Sequence, residues 1–234
     1  MTDQSFAGLC ASMQGISITR GWDCIVTMSR PKVNALLEQQ YISKFEDKGF
    51  LNKIFGEVAI TDDGYSMLDF TGLVLGFPRL SFENATLAKS RARLTMDVES
   101  GTVSQRLNVP GYPSRVTESF TVTPQQGFKV FMDIDLKAST GIVEEQGRVI
   151  IDLGDATNFS SNLLEEGLAQ EALGRFFQRL YRSLAPETRV YDLGTLDFND
   201  DDKLVPREFE IRTQKAPRGN DPQSANSPEG AVVL

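Results

Sequence analysis

The chain has 234 residues, of which 40% are hydrophobic and 24% are charged, an ordinary composition for a soluble globular protein. Its 24 basic and 32 acidic side chains give a net charge of −8, which disfavours nonspecific nucleic-acid binding because phosphate backbones are also negative. The sequence contains no histidine, the side chain used most often in acid–base catalysis and metal binding, so its composition favours a carrier or binding module over an enzyme.

The N-terminal residues bear on where the protein resides. Met1–Ser5 lack the basic start and apolar core of a secretory signal peptide, and no apolar run approaches the roughly 20 residues of a transmembrane segment. The default expectation is a cytoplasmic protein at synthesis, and export by a route that reads no N-terminal signal stays open. Cys10 and Cys24 do not form a disulfide framework, and Cys24 lies in a run typical of a buried strand.

The first predicted helix runs from Ser29 to Lys48. Serine is a good N-cap, and Pro31 is tolerated in a first turn because its missing N–H would have no partner there. Gly49 supplies a stop after the helix. Between these ends the apolar residues recur at helical spacing and cover about half of the circumference; they are Val33, Leu36, Leu37, Tyr41 and Phe45.

Between Phe55 and Leu153 the apolar pattern changes from helical spacing to strict alternation. Apolar residues alternate with polar ones in 94–98 and again in 128–136, and turn-forming residues such as Pro110-Gly111 separate the runs. Such alternation indicates an antiparallel meander with one buried and one solvent-facing surface. Thr95 and Asp97 are expected on the surface that faces solvent.

The second predicted helix runs from Asn162 to Leu184. Asn162 and Glu165 have the spacing of a capping box, in which the side chain of each residue accepts a hydrogen bond from the backbone N–H of the other. The apolar residues of this segment spread over several sides of the helix instead of forming one narrow stripe. Gly167 and Gly174 would permit a bend, and a curved sheet covering several sides of the helix would produce the same pattern.

These elements predict an α+β fold in which a highly curved antiparallel sheet wraps around two long amphipathic helices. Strand candidates at 188–198 and 204–212 complete a single lobe over residues 1–215. Residues 216–230 are rich in Pro, Ser, Asn and Asp, which predicts a flexible loop or linker. Residues 231–234 begin a further strand or mark a truncated end.

The acidic residues are better explained structurally than catalytically. Glu144-Glu145 lies beside a predicted turn and Glu165-Glu166 at a predicted helix start, where acids favour the helix dipole. The stretch Asp197–Asp201 with Glu208 has the spacing of a calcium loop. However, Asp202 replaces the required glycine and Pro206 interrupts the loop. We therefore predict no catalytic residue, no metal and no cofactor.

The apolar faces of the two helices allow two interpretations. In the first they are ordinary core. In the second, part of each face lines a tubular groove that accepts acyl chains, because such sites are mostly apolar with few polar anchors. The residues predicted to line this groove are Leu36, Leu37, Tyr41, Phe176, Phe177 and Leu180.

Several short motifs resemble one bacterial family. Gly21-Trp22-Asp23 is followed after nine residues by Val33-Asn34-x-x-Leu37, and both motifs are similar to those of the accessory proteins encoded in clostridial botulinum-neurotoxin gene clusters and their bacterial relatives. Further likeness lies at Phe82–Ala85, Arg93–Thr102 and Leu204-Val205-Pro206-x-x-Phe209. The resemblance covers about residues 20–215 loosely.

The resemblance implies the tubular lipid-binding (TULIP) fold, in which a curved antiparallel sheet wraps a long helix. It also implies lipid binding, with phosphoinositides or other lipids as ligands, and a role beside a toxin or secreted factor. It supplies no catalytic residue. The leading hypothesis is therefore a non-enzymatic lipid-binding module. The alternatives are a protein–protein interaction or assembly module with a solid core, and a hydrolase that uses carboxylates alone.

Overall fold

The computed structural model describes residues 27–45, 53–82, 91–135, 148–164, 168–195, 212–214 and 230–233. Within these ranges the helices are α1 (Arg30–Phe45), α2 (Leu168–Ser183) and α3 (Pro186–Arg189). The strands are β1 (Thr27–Ser29), β2 (Ile54–Ala59), β3 (Ser66–Leu75), β4 (Arg79–Ser81), β5 (Arg91–Leu107), β6 (Arg115–Val122), β7 (Lys129–Asp135), β8 (Arg148–Asp152), β9 (Thr157–Ser161), β10 (Val190–Thr195), β11 (Arg212–Gln214) and β12 (Ala231–Val233).

The main sheet has seven antiparallel strands and curls into a half-barrel. Its order is β2-β3-β5-β7-β9, and β4 and β6 both pair with β5. The predictions of an α+β fold and of a curved antiparallel sheet are confirmed in this coarse form. Two smaller antiparallel sheets accompany it within the described residues, β10-β8 and β1-β12-β11.

Strand β5 changes partners along its length, which bends the main sheet. Its second half pairs with β3 and β6, and its first half pairs with β4 and β7. The change occurs next to Gly101, which has a φ of +131° that side-chain-bearing residues rarely adopt. A Cβ atom built on Gly101 would lie 2.7 Å from the Cα atom of Leu73, so only glycine lets the two strands approach this closely.

The core lies inside the curl, between the main sheet and the helices. Each large apolar side chain contributes about 1.5–3 kcal/mol when fully buried, so this layer is the main source of stability. The largest fully buried side chains are Phe82, Phe177, Leu37, Ile54, Leu73, Leu80, Leu94, Met132, Ile134, Ile151 and Leu153.

The prediction of two long amphipathic helices is not supported. Helices α1 and α2 have 16 residues each, and in α1 only Arg30, Val33 and Leu37 are buried. Phe45, which was predicted to lie on the apolar face of α1, is 53% exposed. A mostly apolar face is unnecessary for α1 because polar side chains attach it to the edges of two strands.

Two amide side chains attach α1 to different sheets. Asn34 donates from Nδ2 to the carbonyl oxygen of Leu80 on β4 at 3.1 Å and accepts from the Leu80 N–H at 2.7 Å. Gln40 likewise donates from Nε2 to the carbonyl oxygen of Asp192 on β10 at 2.5 Å, and its Oε1 accepts from the Asp192 N–H at 2.7 Å. Each amide thus completes the hydrogen bonding of an edge-strand residue, which a buried backbone group requires.

The predicted start of the second helix is also wrong. Residues 157–161 form β9, and α2 begins at Leu168. Asn162 does not cap a helix, because its side chain accepts from the Lys129 N–H at 2.5 Å and donates to the Gly127 carbonyl at 3.1 Å. Gly174 brings α2 close to β9, because a Cβ atom there would overlap the carbonyl oxygen of Phe159.

Strand β12 lies between β1 and β11, so residues 231–233 are paired on both sides. Other predictions fall outside the described residues and concern the helix end at Lys48 and Gly49, the segment that holds Cys10, Gly21-Trp22-Asp23 and Cys24, the Glu144-Glu145 and Glu165-Glu166 pairs, the acidic stretch from Asp197 to Glu208, and the loop over 216–229.

Candidate functional site

The six residues predicted to line a groove occupy different parts of the interior. Leu37 and Phe177 are fully buried in the core. Tyr41, Phe176 and Leu180 are partly buried against it, and Leu36 is partly buried. Phe176 belongs to an aromatic cluster, with ring centroids 5.2 Å from Phe70 and 5.4 Å from Phe177. Of these six residues, Tyr41 borders the cavity between helices and sheet described next.

We call this cavity the tyrosine gap. It measures about 20 Å³ and is lined by Tyr41, Tyr181 and Tyr191 together with Leu75, Met96, Leu153, Leu184 and Thr188. A cavity of this size has room for about one water molecule. The hydroxyl of Tyr41 donates to the Leu75 carbonyl at 2.6 Å, and that of Tyr181 donates to the Met96 sulfur at 2.9 Å.

All three tyrosines of the gap are held in their neutral form. Burial is the main cause that raises the pKa of Tyr181 and Tyr191 well above the ordinary value of 10.0. The pKa of Tyr41 is also raised, first by burial and then by the negative charge of Glu99. The gap is therefore apolar in character, with hydroxyl groups as its only polar side-chain atoms apart from the Met96 sulfur among the residues that line it.

These pKa shifts predict a loss of stability in alkali. In the unfolded chain tyrosines ionise near pH 10, whereas Tyr181 and Tyr191 keep their protons when folded, so the folded state binds more protons above pH 10. Stability should be constant from pH 7 to about pH 9, begin to fall near pH 10, and above pH 10 fall by about 1.4 kcal/mol per pH unit for each of these two tyrosines. Thermal melts and tyrosinate absorbance between pH 8 and pH 11.5 measure this.

The exposed Tyr112 provides the control, because it is 75% accessible to solvent. Tyr112→Phe should leave the alkaline profile unchanged, and Tyr191→Phe should make it less steep. Titration of all five tyrosines together near pH 10 in a protein that stays folded would contradict the burial of the gap.

Apolar surface is exposed beside the tyrosine gap. Phe45 follows Tyr41 by about one turn of α1 and is 53% exposed. The ring centroids of Tyr41 and Phe45 lie 6.2 Å apart. Because Tyr41 is itself only partly buried, it connects the gap with this exposed surface.

A larger cavity lies outside the core, between the start of α1 and strands β4, β5 and β7, and we call it the hydroxyl pocket. Its volume is about 370 Å³. Thr95 on β5 lines it and points away from the core, because its neighbours Leu94 and Met96 are buried in the core and successive strand side chains face opposite sides. Ser81 pairs with Arg93 in the ladder and shares the face of Thr95.

Two buried hydroxyls of this pocket lack partners within the described part of the chain, Ser81 Oγ and Thr95 Oγ1. The side chains are 6% and 9% exposed. The alternation around Thr95 predicted a solvent-facing residue, and the start of α1 and strand β4 cover it instead. Ser81 carried no sequence signal, because neither motif nor periodicity singled it out.

Three of the charged side chains around the hydroxyl pocket are paired with one another. Asp97 lies 3.5 Å from Arg79 and 3.6 Å from Lys129. The Arg79 guanidinium also lies over the Phe77 ring, 4.4 Å from its centroid. Glu38 and Arg30 of α1 complete the charged lining.

The described residues contain cavities but no cluster of candidate metal ligands. No group of three or more acidic or cysteine side chains comes together there in a way that could hold a metal ion. In the same residues, none of the helices has the length and apolar character required to cross a membrane. No protein-family model, no curated protein and no solved structure matches this chain.

Proposed function

We propose that this chain is a non-enzymatic module that binds the acyl chain of a lipid or similar amphiphile between α1, α2 and the main sheet. The observation that carries the proposal is the tyrosine gap with exposed Phe45 beside Tyr41, one of its lining residues. An apolar tail could replace the contact of the Phe45 ring with water and continue past Tyr41 into the interior. Membership of the toxin-cluster accessory family and the TULIP superfamily stays a prediction from the sequence motifs.

The size of the gap sets a requirement on this mechanism. At about 20 Å³ the gap is far smaller than the roughly 300 Å³ of the smallest ordinary ligand pockets, so the surrounding side chains must move to admit a tail. Tyr41 is only partly buried, and rotation of its ring would break one hydrogen bond, to the Leu75 carbonyl. Such a bond is worth about 1 kcal/mol net, which burial of two methylene groups offsets.

The closed interior favours a second candidate function, an assembly module without a ligand. Leu37 and Phe177 are fully buried and the gap admits about one water molecule, as in an ordinary solid core. In this case exposed Ile42 and Phe45 would contact a protein partner, because exposed apolar surface often marks an interaction site.

Displacement of a fluorescent fatty acid from the purified protein separates the two functions. The unmodified protein should bind the probe saturably, and Phe45→Ser should weaken binding by about 5- to 30-fold, equivalent to about 1–2 kcal/mol of lost apolar contact. Leu184→Ala should strengthen binding, because it enlarges the gap that Leu184 lines.

Phe55→Ser is the matched control, because Phe55 is 64% exposed but lies on β2 and does not line the gap. It should bind the probe like the unmodified protein. Absence of saturable binding, or equal effects of Phe45→Ser and Phe55→Ser, would contradict the proposal. Self-association measured by light scattering and abolished by Phe45→Ser would then support the assembly module.

A further inference from the structure

We propose that the hydroxyl pocket is a second binding site, which takes a small uncharged polyhydroxyl compound such as a monosaccharide. The site is independent of acyl-chain binding, because Thr95 faces away from the core in which the tyrosine gap lies. Its volume of about 370 Å³ falls within the range of about 300–1,000 Å³ found for small-molecule pockets, at the small end.

The floor of the pocket supplies the first argument. Ser81 Oγ and Thr95 Oγ1 are buried and have no hydrogen-bond partner among the described residues. Burying a hydroxyl without a partner costs free energy, and the great majority of buried polar groups in proteins are satisfied. Ser81 and Thr95 both line the same cavity, and their hydroxyl oxygens are closed to solvent, so a rotation of each side chain would let one ligand satisfy both.

The kind of ligand follows from what the two hydroxyls can bond. A hydroxyl both donates one hydrogen bond and accepts others, so two of them match the donor and acceptor pairs that neighbouring sugar hydroxyls present. A purely apolar ligand would leave both atoms unsatisfied. The groups on the floor of the pocket that need a hydrogen-bond partner are therefore uncharged hydroxyls.

The charges around the pocket argue against an anion. Asp97 already pairs with both Arg79 and Lys129, so a phosphate or carboxylate would have to compete with Asp97 for these two cations. It would also meet the Glu38 carboxylate in the lining. An uncharged compound leaves the ion pairs intact, and carboxylates such as Glu38 can accept hydrogen bonds from its hydroxyls.

The wall of the pocket is held in place, which favours a preformed site. Asn34, which lines it, makes two hydrogen bonds to the backbone of Leu80, the residue before Ser81. The aromatic ring of Phe77 adds an apolar surface to the wall of the same pocket. Pockets that combine an apolar wall with a few fixed polar groups are typical of small-molecule sites.

Calorimetry and ligand-observed NMR with a panel of probes test this site on the unmodified protein. Methyl glucoside and N-acetylglucosamine are the neutral probes, glucose 6-phosphate is the anionic probe, and glucosamine is the cationic probe. We expect the neutral sugars to bind at least about five-fold more tightly than glucose 6-phosphate, the equivalent of one net hydrogen bond.

Ser81→Ala and Thr95→Val should each weaken binding of the neutral sugar about five-fold. Neither should lower the melting temperature, since each removes a hydroxyl that has no partner in the described residues. Ser104→Ala is the matched control, because its hydroxyl lies on β5 outside the pocket and bonds Ser119 at 2.8 Å. It should leave sugar binding unchanged.

Three results would overturn the proposal. If no probe binds, the pocket holds water alone. If glucose 6-phosphate binds most tightly and the Ser81 and Thr95 variants bind it normally, the pocket is an anion site on its basic residues. If Ser104→Ala weakens sugar binding as much as Ser81→Ala does, the sugar binds elsewhere.

Discussion

Replacing Phe177 with alanine should lower the free energy of unfolding by about 3–5 kcal/mol. Phe177 is fully buried on α2 and its ring packs 5.4 Å from that of Phe176, so the substitution leaves a cavity in a rigid part of the core. Urea denaturation followed by circular dichroism measures the change.

The same replacement at an exposed position provides the comparison. Phe55→Ala removes an identical side chain that is 64% exposed, and it should cost less than about 1 kcal/mol. Similar losses for both variants would show that Phe177 is not part of a packed core. A small loss at Phe177 together with weaker fatty-acid binding would instead place Phe177 in a ligand groove, as the sequence predicted.

Gly101→Ala should destabilise the protein by about 3 kcal/mol, for two separate reasons. Its φ of +131° is unfavourable for any residue with a side chain, at about 1–3 kcal/mol. The new Cβ atom would also lie 2.7 Å from the Cα atom and 2.9 Å from the backbone nitrogen of Leu73, which adds about 1–3 kcal/mol of overpacking.

Gly111→Ala separates these two contributions. Gly111 also has a positive φ, +85°, but a Cβ atom there would meet no atom within 4 Å. This variant should lose only the conformational part, about 1–2 kcal/mol. Equal losses at Gly101 and Gly111 in urea denaturation would show that β3 and β5 can separate at the bend without cost.

The sequence predicted the local structure of the sheet well, because alternation is a local signal. Runs 94–98 and 128–136 alternate, and they lie in β5 and in and around β7. The start of the second helix was mispredicted because Asn162 is as good a helix cap as it is a hydrogen-bond partner for a neighbouring strand. Its actual partner, Lys129, lies 33 residues away in the chain, and no local pattern reports such a contact.

The candidate sites were harder to predict than the fold. Apolar residue types identified interior positions such as Leu37 and Phe177, but they could not show whether the space between them is filled. Tyr181 lies within the second predicted helix, but its place at the tyrosine gap depends on β5 and β10. The hydroxyl pocket depends on burial of Thr95 by elements distant in sequence, and alternation alone assigned that residue to solvent.

The attachment of α1 determines which wall of the interior can yield. Any slide or rotation of α1 would break the four hydrogen bonds that Asn34 and Gln40 make to two different sheets. Helix α1 therefore connects the half-barrel to the β8–β10 sheet through hydrogen bonds at two points, which oppose its movement. If the proposed acyl chain binds, it would enter by displacing the Tyr41 ring or by moving α2, and the rate of entry would depend on those rearrangements and not on movement of α1.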